Sequence, residues 1–477
     1  MTASAAMLFF GTGVEPLWWA TWLAPLPVLL AAQRSSWRMA LLLCLGAWMI
    51  GGSNLWPYLH GTLGLPVAIA LLAIVTPAWH FAVATLLSRA LARHGQPWAA
   101  VFALPAAWVG ADFLDASLSP HGTFGNLAYT QMDNLPVLQI ASVTGLWGVD
   151  FVLMLFPSAL AILLCHAATR RWRIGLVVAM TALAAAGLSF GHWRLPSSTA
   201  WAPLRLALLA TDAPAQPLPV QDPAVQDMLA AVEQAIAEAS RQRPQLLLLP
   251  ETILAVDESR SSELRERLQR VATREKVTLV VGIDDRDGDS ELNAAWVFPS
   301  NGAPASSYAK HHLLPGFERR YRPGRELLLQ DLGDLRWGVA ICKDMDFLGL
   351  PREYARQGAG LLLVPAWDFK RDGWLHSRMA VMRGIENGYA VARSARNGRI
   401  TLSDSRGRML ADVASAEARV TSRVLDLELR AEPTLYARLG DWFAWISLGT
   451  ALACLLWLWI SWRRRSACAR TTRKDRE

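Results

Sequence analysis

Three polar residues each follow a short strand-like run: Glu251 after LLLLP, Lys310 after SSYA and Cys342 after WGVAI. An acid, an amine and a thiol are the parts that covalent acyl chemistry needs. A thiol with an ordinary pKa of about 8.5 is only a few per cent thiolate at neutral pH, so it requires a base. Glu251 is the candidate general base. It would take the thiol proton and return it to the leaving group, and its place against apolar strand ends should raise its pKa towards the working range. Lys310 would hold a fixed positive charge against the oxyanion of a tetrahedral intermediate, together with the backbone N–H of Lys343. The outcome would be a thioester on Cys342, resolved by a second substrate.

Each residue alone has a plainer explanation. A Glu after Pro can be the N-terminal acid of a helix, a Lys before His-His can be solvated, and a Cys ending an apolar strand can be core. The other cysteines, Cys44, Cys165, Cys454 and Cys468, lie in or beside apolar runs and form no disulfide framework or CxxC pattern. His311 and His312 lack the partner spacing of a metal site and read as solvated or packing residues. No phosphate-cradling glycine loop is visible. No metal and no cofactor are expected.

The elements that must position these residues read as an α/β domain. Short β-branched or Leu-rich runs at 206–210, 246–249, 277–282, 294–298, 338–341, 361–364 and 420–424 alternate with helical periodicity at 227–241 and 262–274. Open α/β sheets present their sites beyond strand ends, where all three residues fall. The strand order is not legible from the pattern.

Around this domain the composition changes. The chain of 477 residues is 53% hydrophobic and 18% charged, below the roughly 25% charge of an average soluble domain. The deficit is concentrated at about 5–192 and again at 442–462. Crossing a bilayer takes about 20 apolar residues. Candidate spans are 16–32, 37–56, 63–87, 98–118, 143–166, 174–190 and 443–460, seven in all; the stretch 5–14 gives an alternative count of eight. The start lacks the basic region of a cleaved signal peptide. The expected organisation is membrane helices in 1–193, a globular domain in 194–441, a last crossing in 442–462 and a basic tail in 463–477.

Charge orients the spans. Arg34 and Arg38, Arg89 and Arg93, and Arg170, Arg171 and Arg173 lie in alternate loops, while 53–62 and 119–139 carry no Lys or Arg. By the positive-inside rule the Arg loops and the tail (Arg463, Arg464, Arg465, Arg470, Arg473, Lys474) are cytoplasmic and the globular domain is outside. The net charge of +7 is thereby explained by clusters beside apolar runs, which argues against a nucleic-acid partner. Many of the 22 tryptophans, Trp18, Trp19, Trp37, Trp98 and Trp462 among them, sit near span ends as interfacial anchors. Asp112 and Asp115, near the end of a span, either mark function or reach the outer interface.

The segments LLLLPET, YAKHHLLPGFE and WGVAICKD, in that order, resemble the nitrilase superfamily. Within it they are similar to the apolipoprotein N-acyltransferase family, together with HGTFGNLAYTQMDN, RMAVMRGIENGYAVARSARNG and TLYARLGDWFAW. The resemblance covers nearly the whole chain. It implies an α-β-β-α sandwich outside the cytoplasmic membrane of a bacterium, and a Glu251–Lys310–Cys342 triad. It also implies a phospholipid acyl donor and a diacylglyceryl-lipoprotein acceptor, with a monomer as the expected state. Glu318, in KHHLLPGFE, resembles the family's second carboxylate, which orients the lysine or assists proton transfer.

Three stretches depart from the family pattern. Lys343 and Asp344 follow the nucleophile where the family has an aromatic residue and then Glu. Lys343 is expected to favour the thiolate, and the missing aromatic removes a pocket wall. VPAWD, ending at Asp368, stands in place of Ser-Asn-Asp-Ala-Trp, and ATDAP in place of a Gln-Gly-Asn turn. The triad is untouched, so acyl chemistry is the firmer expectation. Two enzyme readings remain, an N-acyltransferase and a membrane-tethered amidohydrolase in which water resolves the thioester. They differ in whether an amine outcompetes water. A non-enzymatic scaffold is disfavoured because all three triad residues are present.

Overall fold

The computed structural model describes residues 1–166, 169–196, 203–212, 221–287, 290–415, 420–429 and 432–474. The last two residues of ATDAP and the last three of the basic tail lie outside them. The chain forms two compact units. One comprises residues 1–118, 125–192 and 441–477, and the other 119–124 and 193–440.

Six helices of the first unit are long and apolar enough to cross a bilayer: Trp37–Thr62, Val67–Arg93, Pro97–Leu118, Leu146–Cys165, Arg170–Arg194 and Trp442–Arg465. The protein is a multi-pass membrane protein. The expected span at 16–32 is not a single helix but two short ones, Trp18–Leu23 and Pro25–Arg34. Pro25 and Pro27 have no N–H to give to the preceding turn, and the helix is interrupted at Ala24. Among the described residues six helices have the length and composition of a span where the sequence suggests seven, and the stretch at 5–14 contributes to a ten-residue helix, Thr2–Gly11. Helix Arg170–Arg194 turns Ile174, Val177, Val178, Leu183 and Leu188 outward, a surface suited to lipid and not to water. Trp18, Trp19, Trp37, Trp98 and Trp462 are all exposed.

Polar groups inside this unit are tied to one another. The Arg89 guanidinium donates to the carbonyl of Ala32 at 3.0 Å and to that of Ser35, the last carbonyls of helix Pro25–Arg34, where a cation is favoured. The Asn126 amide donates to both Asp112 (2.5 Å) and Asp150 (2.7 Å), whereas Asp115 is exposed. Asp112, at intermediate burial, is therefore tied into a polar cluster with Asn126 and Asp150.

The second unit is built on two mixed sheets. In the first, β1 (Leu204–Ala210), β2 (Leu246–Leu248) and β4 (Thr278–Asp287) run parallel. β3 (Leu254–Asp257) also pairs with β4, and β5 (Ser290–Phe298) and β6 (Ser306–Ala309) continue antiparallel. The second sheet has the order β12-β11-β10-β9-β8-β7. Its strands are β7 (Leu328–Leu332), β8 (Leu335–Val339), β9 (Leu361–Trp367), β10 (Ala390–Arg396), β11 (Arg399–Ser403) and β12 (Met409–Ala414). β13 (Thr421–Leu427) returns to the first sheet, antiparallel to β1.

Alternation along the strands explains the layering. In β1, Leu204, Leu206 and Leu208 point to the second sheet and pack with Trp337, Val339, Leu361, Leu363, Ala392 and Leu402. Ala207 and Leu209 point the other way, to Val225, Leu229, Leu264 and Leu268 of helices Pro223–Ser240 and Glu258–Glu275. The second sheet's outer face, with Leu362, Val364 and Val391, is covered by Leu350, Tyr354 and Ala380 of helices Gly349–Arg356 and Gly373–Asn387. The layers are helix, sheet, sheet, helix, the nitrilase-type sandwich that the resemblance implies.

Candidate active site

Glu251, Lys310 and Cys342 follow β2, β6 and β8, and the fold brings them together. β5 and β6 lie side by side, so Lys310, one residue past β6, donates its backbone N–H to the carbonyl of Asn293 on β5 at 2.9 Å. Its ammonium meets Glu251 Oε1 at 2.8 Å and the Glu318 carboxylate at 3.0 Å. The Asn293 amide bridges the same two carboxylates, at 2.6 Å to each. Glu318 is fixed from behind by the N–H of Leu314, 2.6 Å from Oε2. Glu251 and Lys310 are each 3% exposed, so neither charge can be left to water.

That burial governs their protonation. Desolvation raises the Glu251 pKa; Lys310 opposes the rise, and the negative Glu318 adds to it. Lys310 is opposed by burial as well, yet Glu251, Glu318 and Cys342 together hold it well above its ordinary value, so its charge is permanent. Glu251 Oε1 is saturated, whereas Oε2 is buried and has no hydrogen-bond partner among the described residues.

Glu251 is seated by backbone contact. A side chain on Gly282 of β4 would lie 2.2 Å from the Pro250 oxygen and 2.5 Å from Glu251 Cα. The absence of a Cβ there lets the loop after β2 lie flat on the neighbouring strand.

Cys342 opens a single 3₁₀ turn, Cys342–Asp346, with φ +42°. This is the left-handed region, which costs a residue with a Cβ about 1–2 kcal/mol. Asp344 holds the turn from within. Its carboxylate accepts from the N–H of Ile341 (2.9 Å), His311 (3.1 Å) and His312 (2.8 Å), from His312 Nδ1 (3.1 Å) and from the Tyr308 hydroxyl (2.7 Å). These bonds keep Asp344 ionised against its burial. His311 and His312 are therefore supports of the Cys342 turn through their N–H groups, and the His312 ring stacks on Phe347 at 3.9 Å.

The expectation for Lys343 is corrected. Its ammonium is buried against Asp346 at 3.3 Å, with His121 Nδ1 at 3.5 Å, and is engaged there. The thiol pKa is raised well above its ordinary value, first by burial and then by Glu251, with Lys310 opposing. Burial and the Glu251 charge therefore favour the neutral thiol at Cys342.

The other flank of Cys342 comes from the second sheet. Its Sγ lies 3.6 Å from the Trp367 carbonyl, and beyond Trp367 the Asp368 carboxylate receives both Arg393 Nη groups, one at 2.9 Å. His376 Nδ1 stands 3.5 Å from Asp368 and 3.6 Å from Asp372. Ligand-type atoms of Asp368, Asp372 and His376 fall within 4.8 Å of one another, but the bidentate guanidinium already answers the Asp368 charge. Asn293 and Arg393 were not among the expected site residues. The one available signal was a buried-looking polar residue within an apolar strand, in ELNAAWVF and in AVARSAR.

Residues 213–432 match the carbon-nitrogen hydrolase family, and residues 4–159 match the apolipoprotein N-acyltransferase N-terminal domain. The apolipoprotein N-acyltransferase of Geobacter metallireducens is 26% identical across 97% of this chain and 94% of its own length. That of Chlorobaculum tepidum is 25% identical across 92% and 91%. Among solved structures, an amidase from Nesterenkonia sp. is 23% identical over 51% of this chain and 96% of its own, with a TM-score of 0.42.

Proposed function

Because the chain belongs to the apolipoprotein N-acyltransferase family, we propose that Glu251, Lys310 and Cys342 are the catalytic residues of its acyl transfer. The protein is an N-acyltransferase of the carbon-nitrogen hydrolase superfamily, acting on lipid and lipoprotein substrates. In the proposed reaction the donor is a membrane phospholipid and the acceptor is the α-amine of a lipoprotein's N-terminal diacylglyceryl-cysteine.

The observation that carries this assignment is the division of labour within Glu251. Oε1 is held by Lys310 and Asn293, while Oε2 has no partner among the described residues and so retains a lone pair for a proton. Both Glu251 and Lys310 act electrostatically on the Cys342 sulfur. Glu251 takes the thiol proton as sulfur attacks the ester carbonyl. The oxyanion is stabilised by the Lys310 ammonium and the Lys343 backbone N–H. The carbon–oxygen bond breaks, the lysophospholipid leaves with the proton from Glu251, and the acyl group remains as a thioester. The acceptor amine then attacks this carbonyl and passes its proton to Glu251. The sulfur–carbon bond breaks, the thiolate recovers the proton, and an amide is left. Glu318 orients Lys310 throughout. Donor and acceptor both reside in the bilayer, so the transfer needs no water-soluble intermediate.

Wild-type protein reconstituted with phospholipid and a diacylglyceryl-cysteinyl peptide should add one acyl mass to the peptide's N-terminus by mass spectrometry. Cys342→Ala should add none. An unmodified amine with wild-type protein, or turnover by Cys342→Ala, would sink the assignment. The alternation of arginine-bearing loops supports an extracytoplasmic catalytic unit in the inner membrane of a bacterium. A reporter fused after Glu477 should read as cytoplasmic and one at Gly288, outside the described residues, as external. Finding both on one side would overturn the topology.

A further inference from the structure

Six residues of the catalytic unit, Ser119–Phe124, come from far away in sequence, directly after helix Pro97–Leu118. They meet the nucleophile turn at its exit. The N–H and the hydroxyl of Thr123 both donate to the Asp346 carbonyl, at 2.9 and 2.7 Å. Gly122, with φ +56°, lies so close that a Cβ would stand 2.5 Å from the same oxygen and 3.0 Å from the Asp346 carbonyl carbon. Only glycine meets both conditions without strain. His121 places Nδ1 3.5 Å from the Lys343 ammonium, which also meets Asp346.

The turn therefore has two clamps. Asp344 holds its entrance, from Ile341 and the His311–His312 backbone. The hexapeptide holds its exit at Asp346 and, through His121, the side chain of Lys343. Between the clamps lie the strained Cys342 and the Lys343 N–H. Burial and the Lys343 charge both lower the His121 pKa, which keeps the ring neutral and its nitrogen compatible with the ammonium.

We propose that Ser119–Phe124 is a positioning element of the acyl-transfer site, holding the exit of the nucleophile turn so that the Lys343 N–H is aimed at the oxyanion that forms beside Cys342. The inference rests on the catalytic assignment proposed above. Its residues touch no reacting atom and act through Asp346 and Lys343.

A Cβ on Gly122 forces the two segments apart by about 0.5–1 Å, and a misplacement of ~1 Å can cost ~10²-fold in rate. Alkylation of the same thiol by iodoacetamide forms no oxyanion and is indifferent to the N–H. In the full-length protein, Gly122→Ala should slow single-turnover acylation of Cys342 by at least about tenfold, with iodoacetamide alkylation and the KM for phospholipid within about twofold of wild type. Thr123→Val should show a smaller defect of the same kind, and Thr123→Ser, which keeps the hydroxyl donor, should restore the rate. If Gly122→Ala does not accumulate folded, the Thr123 pair decides the matter.

Wild-type acylation rates in the variants would overturn the inference. So would an equal loss of acylation and alkylation, or a raised KM with kcat unchanged. Absence of any Cys342 thioester in the wild type would instead sink the catalytic assignment, so the two failures are told apart.

Discussion

The thiol of Cys342 is flanked by two buried ionic clusters that look alike in composition and differ in what they leave free. On the first-sheet side, one ammonium, Lys310, is shared by Glu251 and Glu318, and Glu251 Oε2 stays without a partner among the described residues. On the second-sheet side, Asp368 spends both oxygens on Arg393, and His376 stands between Asp368 and Asp372. A carboxylate with an idle oxygen and a raised pKa can exchange a proton; one held in a bidentate pair is a wall. Burial alone thus does not separate the two carboxylates; the idle Oε2 of Glu251 on the Cys342 side does.

The comparison is tested hardest on the side where chemistry is expected. Lys310→Met should lower acylation by at least about 10²–10³-fold with little change in lipid binding, since its charge matters in the transition state. Glu251→Gln should block acylation too, but raised pH with an activated acyl donor should partly rescue it by forming the thiolate independently. The same treatment should not rescue Lys310→Met. Equal rescue in single-turnover assays would mean that the roles are misassigned.

On the other side the expected loss is one of stability. Arg393→Met strips the buried Asp368 of its bidentate partner and leaves it only His376 at 3.5 Å, against the about 3–5 kcal/mol that a fully unpaired buried charge typically costs. Denaturant or thermal unfolding should report that loss, while kcat per folded molecule changes less than tenfold, a rough ceiling of ~1.4 kcal/mol on the barrier. A collapse of kcat in a protein of normal stability would erase the distinction between the flanks.

Smaller effects sharpen it. Glu318 is one of the charges that raise the Glu251 pKa, and Glu251 must be ionised to act as base. Glu318→Gln should therefore move the acidic limb of the pH–rate profile to lower pH, and a limb that moves up or stays put would contradict the coupling. On the second-sheet side, burial lowers the His376 pKa, but Asp372 and Asp368 outweigh it and raise the value from its ordinary 6.5 to about 9. A raised folded-state pKa gives stability that is complete below about pH 6.5 and is lost as pH rises through about 9. The wild-type Tm should fall over that window, by roughly 2–4 °C for each ~1 kcal/mol lost in a domain of this size. In His376→Gln the fall should flatten, and an unchanged slope would show that the imidazolium is not the source.

The part of this site that was legible in sequence is the part that follows hydrophobic runs. Glu251, Lys310 and Cys342 announce themselves because each follows a short strand-like run. The second flank is hidden for a physical reason. All seven residues of β10, Ala390–Arg396, are buried, yet AVARSAR carries two arginines whose burial depends on partners elsewhere in the chain, Asp368 for Arg393 and the Thr252 carbonyl for Arg396. Periodicity cannot register a charge that is buried because it is paired. Lys343 misled for a related reason: adjacency in sequence suggested a charge beside the thiol, whereas the 3₁₀ turn sends its side chain to Asp346. The expected span at 16–32 is divided at Ala24, just before Pro25 and Pro27, a break that hydropathy does not register.

The left-handed backbone of Cys342 bears on how this protein would decay if its chemistry were no longer required. The strain at that residue, about 1–2 kcal/mol, exceeds the roughly 0.5–1 kcal/mol that glycine gives up in unfolded-chain entropy. Gly at position 342 would relieve that strain but lose the packing of the Cys342 side chain on the core between the sheets, so in a copy released from selection on catalysis the two effects oppose each other. Inactivation at position 342 therefore meets only a small barrier from the fold. An inert descendant could persist as a stable membrane protein, recognisable by an intact Glu251–Lys310 pair facing a missing thiol.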